Sequence, residues 1–128
     1  MDTNILLRLL VNDDQQQSEQ VREYLETVMS VEQIYISVIV LVETCWVLRR
    51  TYQYRNVEIL RVFRALMETE NLVFQHAEVL ASFFQRDHAD GDIPDHLISL
   101  FAKNAGCRHT VTFDKGAANA VPGMELLS

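Results

Sequence analysis

The chain has 128 residues, 48% of them hydrophobic, and a formal net charge of −7. That length supports one domain with a buried core, so residues 1–128 are read as a single domain. No apolar run is long enough to span a membrane, and Met1-Asp2-Thr3-Asn4 lacks the basic segment of a secretory signal. The expectation is a cytoplasmic protein with no membrane partner. The acidic balance argues against a broad nucleic-acid footprint, though not against a local basic rim or acids that bind a cation. Cys45 and Cys107 stand apart without metal spacing and read as reduced thiols.

The first apolar run, Ile5 to Val11, reads as a helix that Asn12-Asp13-Asp14 ends, with Asp2 or Thr3 able to cap it. Asp14 to Ser30 repeats Val21, Leu25 and Val28 on one face and reads as a second helix. Gln33 to Ser37 is β-branched and aromatic, the pattern of a buried strand. Ser37 then caps a helix running to about Tyr52, whose last turn carries Arg49 and Arg50, and Tyr52 to Asn56 is a loop. Val57 to Thr69 has helical spacing at Ile59, Leu60, Phe63, Leu66 and Met67. Asn71 to Gln75 reads as a second strand and Ala77 to about His88 as a helix, broken by Ala89-Asp90-Gly91-Asp92. Ile93-Pro94-Asp95-His96 opens the next helix, with proline in the tolerated first turn and Gly106 as its stop. His109 to Phe113 is a third strand, followed at once by Asp114-Lys115-Gly116, and Met124 to Leu127 a short last one. Strands alternate with helices, which makes the class α/β with a mostly parallel sheet flanked by helices.

Five acids carry the chemistry. Glu43 is the single charge in the apolar stretch Ile36 to Leu48. A carboxylate withdrawn from water without a partner is costly, so Glu43 is expected to face water, a distant cation or a metal ion. Ligands of an open parallel sheet bind beyond the carboxyl ends of the strands. Asp2, Glu43, Asp92, Asp95 and Asp114 all stand where that geometry would bring them to one rim. Such a cluster repels itself unless a hard divalent cation neutralises it, and carboxylates without thiolates favour magnesium or manganese. The usual work of such a site is phosphoryl transfer with a metal-activated water. Capping or turn roles explain Asp2, Asp95 and Asp114 individually, and Asp92 alone could be an ordinary loop residue. Thr3, Asn4 and Thr112 are candidates to orient the acids. A lone histidine at position 96 reads as structural.

These motifs resemble PIN domains, especially the VapC toxins of bacterial toxin–antitoxin pairs. Asp2-Thr3-Asn4 with Ile-Leu-Leu-Arg-Leu-Leu is similar to their opening signature. Ser-Val-Ile-Val-Leu-Val-Glu, ending at Glu43, is similar to the second motif, and Trp46 to Arg50 extends it. Gly91-Asp92-Ile93-Pro94-Asp95-His96-Leu97-Ile98 resembles the third, mapping the main ligand to Asp95 with Asp92 accessory. Thr112-Phe113-Asp114-Lys115 resembles the fourth. The resemblance implies a PIN-like fold, and magnesium or manganese held by Asp2, Glu43, Asp95 and Asp114, with Asp92 possible as a further ligand. It implies an endoribonuclease that cuts structured RNA, a tRNA or ribosomal RNA loop, and so stops translation. The implied partners are a second copy in a homodimer, a cognate VapB-like antitoxin, and promoter DNA only through that antitoxin. Arg8, Arg49, Arg50 and Lys115 are candidates to touch RNA phosphate.

The pattern departs from the family in two places. Only Met1 precedes Asp2, where the family has an apolar strand, so that strand is expected to be shortened, replaced or supplied from upstream. Pro94 stands where a small residue is commoner. Two rivals remain at this stage. One is a non-catalytic PIN-like binding module in a toxin–antitoxin repressor complex. The other is a magnesium-dependent phosphatase, which usually has a second aspartate two residues after the first; Asn4 stands there instead.

Overall fold

Aspartates and one serine stand at the start of five of the seven described helices. In the structure, a computed structural model describing residues 1–88 and 90–127, Asp2 Oδ1 accepts from the Ile5 amide at 3.0 Å and begins helix α1 (Thr3–Leu10). Asp14 Oδ1 accepts from the Gln17 amide at 3.1 Å and begins α2 (Gln15–Met29). Strand β1 (Ile34–Ile36) leads to Ser37, whose Oγ caps α3 (Val38–Arg50) through the Val40 amide at 3.2 Å. Helix α4 (Asn56–Met67), strand β2 (Leu72–Phe74) and helix α5 (Ala77–Phe84) follow. The chain continues with α6 (Ile93–Asn104), β3 (Thr110–Thr112), α7 (Lys115–Ala120) and β4 (Met124–Leu126). Ala89, the first residue of the expected break, and the terminal Ser128 lie outside the described residues.

Most expected elements stand within a residue or two of their anticipated bounds. Two do not. Helix α5 stops at Phe84 rather than near His88, where the Gln85 amide donates back to Ala81 O at 3.2 Å. Beyond it the His88 ring folds onto Phe83, with centroids 3.9 Å apart, and its Nε2 meets the Phe83 carbonyl at 2.9 Å. The second departure is α7, absent from the sequence reading. Asp114 is its N-cap, accepting from the Ala117 amide at 3.0 Å.

Helix α3 is the centre of the main core. Leu41, Cys45 and Leu48 are fully buried along one side of it. They pack with Leu6 and Leu7 of α1, Ile36 of β1, Ile59 and Phe63 of α4, Leu80 and Phe84 of α5, and Ile93 and Leu97 of α6. Phe63 and Phe84 stack with centroids 5.3 Å apart. Burial holds the Cys45 thiol far above the usual thiol range. A second, small cluster joins Ala117, Val121 and Met124 under β3 and β4.

All strand pairs are parallel, as the α/β class requires, with helices as crossovers. The expected single sheet is divided, however. Among the described residues β1 pairs with β2, in the register Ile34 with Leu72, and β3 pairs with β4, in the register Thr110 with Met124. No ladder joins the two pairs. On the edge of β1 away from β2, the Met1 ammonium donates to Tyr35 O at 3.0 Å. No described helix is long and apolar enough to cross a membrane.

Candidate active site

The first turn of α6 carries an acid whose carboxyl is raised. Asp92 is the N-cap residue, and its backbone carbonyl accepts from the His96 amide at 3.1 Å, closing that turn. Pro94 occupies the turn without loss, because its missing N–H has no intrahelical partner there. Asp95 sits half-buried at the third position. The positive end of the helix dipole should favour its ionised form. Its carboxyl is nevertheless held above the usual range, first by burial and then by the negative charges of Asp92 and Asp114. His96 acts in the opposite sense. Asp92 at the start of α6 and Asp114 at the end of β3 thus both act on Asp95.

A polar clamp fixes the loop that delivers Asp92 and Asp95. Arg49, in the last turn of α3, places Nε 2.8 Å from Asp92 Oδ1 and donates from Nη1 to Asn56 Oδ1 at 2.5 Å. Asn56, only 4% exposed, donates from Nδ2 to the carbonyls of His88 at 2.8 Å and Gly91 at 2.6 Å. His96, 6% exposed, adds a bond from Nε2 to Asp90 O at 2.7 Å, which agrees with its structural reading. Gly91 takes φ +81°, and a Cβ there would lie 3.1 Å from both Ala120 Cβ and Val121 Cγ2. The glycine therefore serves close packing of the loop on α7 as well as the backbone turn. Partly exposed ion pairs contribute at most about 1 kcal/mol, so the chief effect of Arg49 is to orient Asp92. Asn56 was missed in the sequence. An asparagine at a helix start has an ordinary capping explanation, and nothing local reveals that its amide reaches across to residues 88 and 91.

The other expected residues are placed differently. Asp2 is exposed and occupied as the cap of α1. Glu43 is exposed, so of its three expected surroundings it faces water. Helical spacing puts it on one face with Ile39, 71% exposed, and Trp46, 52% exposed, opposite Leu41, Cys45 and Leu48. Neither Asp2 nor Glu43 is among the charges acting on Asp95. Thr112 Oγ1 accepts from the Asp114 amide at 3.0 Å, an orienting contact at the turn between β3 and α7. Thr3 and Asn4 lie in the first turn of α1. Arg8 pairs with Asp13, which also accepts from the Tyr52 hydroxyl at 2.5 Å. Arg50 lies over the Trp46 ring, 5.6 Å from its centroid, and Lys115 is exposed beside Asp114.

Among the described residues, no three histidine, cysteine, aspartate or glutamate side chains stand close enough to hold one metal ion. The donors nonetheless fit a hard divalent cation in kind. They are carboxylates, and a cation would relieve the repulsion that raises Asp95. The charges of Asp92 and Asp114 act on Asp95, and Asp2 and Glu43 are not among them.

Residues 1–121 match the PIN domain family, a span that includes all five acids and every helix but none of β4. The chain belongs to the PIN domain family. Comparison of the chain with curated proteins and with solved structures gave no match. PIN domains are generally nucleases and typically use divalent metal ions. The PIN fold expected from the motifs agrees with the parallel strand pairs and flanking helices seen here. For a PIN domain, the acids at the start of α6 are the natural place to seek chemistry on a phosphodiester.

Proposed function

We propose that the protein is a metal-dependent endoribonuclease toxin of the VapC type, cleaving structured RNA such as a tRNA and neutralised by a cognate antitoxin. The observation that carries the nuclease reading is Asp95, a carboxyl raised first by burial and then by the charges of Asp92 and Asp114. The order and spacing of the motifs around Asp2, Glu43, Asp95 and Asp114 support the narrower VapC assignment. Asp95, Asp92 and Asp114 would hold magnesium or manganese, with Asp2 and Glu43 completing the ligand set. Bound there, the ion would supply a more acidic water and neutralise charge on the phosphate. The chain's own part is to hold carboxylates in place. Arg49 fixes Asp92, the cap to Ala117 fixes Asp114, and Asn56 fixes the loop before α6. An antitoxin segment laying a basic side chain among these acids would compete with the cation for the same charge.

The test is incubation of the purified protein with total cellular RNA and magnesium or manganese, followed by end mapping. One dominant new cut, abolished by chelator, by Asp95→Asn and by Glu43→Gln, is the expected result. Expression in cells without an antitoxin should arrest growth with the same cut. A second reading, a non-catalytic binding module within a repressor complex, is favoured by the exposure of Asp2 and Glu43, which are not among the charges acting on Asp95. Folded protein that binds a partner and cuts no RNA under any metal would select it.

A further inference from the structure

The five acids leave one feature of α6 unused. On another side of this helix lies a groove of about 550 Å³, and none of the five acids lines it. Arg86 after α5, Lys103 in the last turn of α6 and Arg108 before β3 all face into it, with Glu78 as its single carboxylate. Counted from these four residues the lining carries a net +2, in a chain whose net charge is −7. Among the described residues none of the three cations has a carboxylate within ion-pair distance. Arg8, Arg49, Arg55 and Arg64 are each paired. Among the described residues, three of the seven cations without an internal anion therefore share one concavity, the others being Arg22, Arg50, Arg61 and Lys115. Its floor is firm. His96 and His88 line it, His96 held by Asp90 O and His88 stacked on Phe83. Ser99 donates to Pro122 O at 2.6 Å across the same wall.

We propose that this groove binds the phosphates of one RNA strand on the flank of the cleavage point, with Arg86, Lys103 and Arg108 as its contacts. The assignment rests on the nuclease reading above, which supplies a polyanionic substrate. A concave, unpaired cationic lining suits a flexible backbone of repeated negative charge, because each contact releases condensed counterions. His96 links the two features. It follows Asp95 in sequence and lines the groove, so a strand seated there would be registered against the acids by the rigid first turn of α6. The three cations are positioning residues: they hold the substrate away from the reacting phosphate.

The test separates binding from cleavage. Anisotropy of a labelled RNA strand is titrated with full-length protein in chelator, where the metal-dependent cut cannot proceed, at several salt concentrations. Four proteins are compared: the natural chain, Arg86→Gln/Lys103→Gln/Arg108→Gln, a control Arg22→Gln/Arg61→Gln, and Asp95→Asn. For the groove variant we expect a loss of affinity of about tenfold or more and a log–log salt slope shallower by about 2, since each single-strand contact contributes about 0.7. The control and Asp95→Asn should lose little. Arg108→Glu, a single exposed change, should reproduce the loss if the triple variant folds poorly by circular dichroism. Equal losses in the groove variant and the control would overturn the proposal in favour of nonspecific charge. Unchanged binding by the groove variant would overturn it while leaving the nuclease reading intact. No RNA binding by the natural chain, together with no cutting, would remove both.

Discussion

Asp92 and Asp114 act on the Asp95 carboxyl; Asp2 and Glu43 are not among the charges that do. Asp92 is held by Arg49 and Asp95 is half-buried in the α6 turn, while Asp114, like Asp2, caps its own helix and has its amide bonded to Thr112. Asp2 is used by its own helix, and Glu43 stands on the solvent face of α3. The difference teaches that a shared family motif does not make its residues equal in the unliganded chain. One half of the candidate site is built by packing and repulsion, and the other half waits for something that attracts it.

The sharpest break between the halves is Asp95→Asn against Glu43→Gln. Loss of a residue that only orients a metal ligand costs about 10–100-fold, so loss of Asp95 as a ligand should lower nuclease activity by at least about 100-fold. If Glu43→Gln costs as much while leaving metal affinity within about tenfold, Glu43 acts on the substrate or water rather than holding the ion. Calorimetric titration with manganese beside the cleavage assay separates these outcomes.

Asn56→Ala attacks the clamp. It removes the buried amide that bonds to His88 O and Gly91 O and leaves Arg49 with one partner fewer. Urea unfolding should show a loss of about 1–3 kcal/mol, the cost of leaving buried polar groups unpaired. Activity should fall with it through Asp92; a stable, fully active variant would show that the clamp is dispensable. Gly91→Ala should cost about 1–2 kcal/mol from the left-handed backbone, with its Cβ also tight against α7. That change disturbs the link to Asp114 and should leave Asp2 untouched.

The smallest effect is on pH. The folded carboxyl of Asp95 titrates above its ordinary value of 3.8. Its neutral form therefore favours folding; that contribution is present below the unfolded value and is lost as pH rises through the folded one. In chelator, thermal midpoints should drop slightly over that window, and Asp95→Asn should flatten this part of the profile. Saturating manganese should reverse the trend by favouring the ionised form. A profile identical in Asp95→Asn and the natural chain would show that Asp95 is not strained by its neighbours.

Much of this was legible in the residues. Apolar spacing located α2, α4 and α6, because each buries one stripe. The start of α6 and its perturbed acid were both readable, since Asp92, Pro94 and Asp95 carry start signals beside an apolar face. Glu43 faces water, one of its three expected surroundings, because Ile39 and Trp46 on the same face are apolar yet exposed and only the other side of the stretch is buried. Helix α7 was hidden because Gly116, Ala117, Ala118 and Ala120 give no apolar stripe, and Asp114-Lys115-Gly116 reads as a turn. The divided sheet could not be read at all, because strand pairing is a long-range choice that three-residue strands do not announce.

That division has a consequence for how the molecule opens. Strands β3 and β4 bond to each other, lie by the small Ala117–Val121–Met124 cluster, and among the described residues meet the rest of the chain chiefly through α6, with the Gly91 loop packed on α7. Such a unit should detach at a lower free energy than global unfolding, as a separate cooperative foldon. Native-state hydrogen exchange should then show the amides of Thr110–Thr112 and Met124–Leu126 exchanging together, ahead of those in α3. Asp114 travels with this unit, so each opening would dismantle the acid group, and a cation bound there would slow exchange over the whole C-terminal segment.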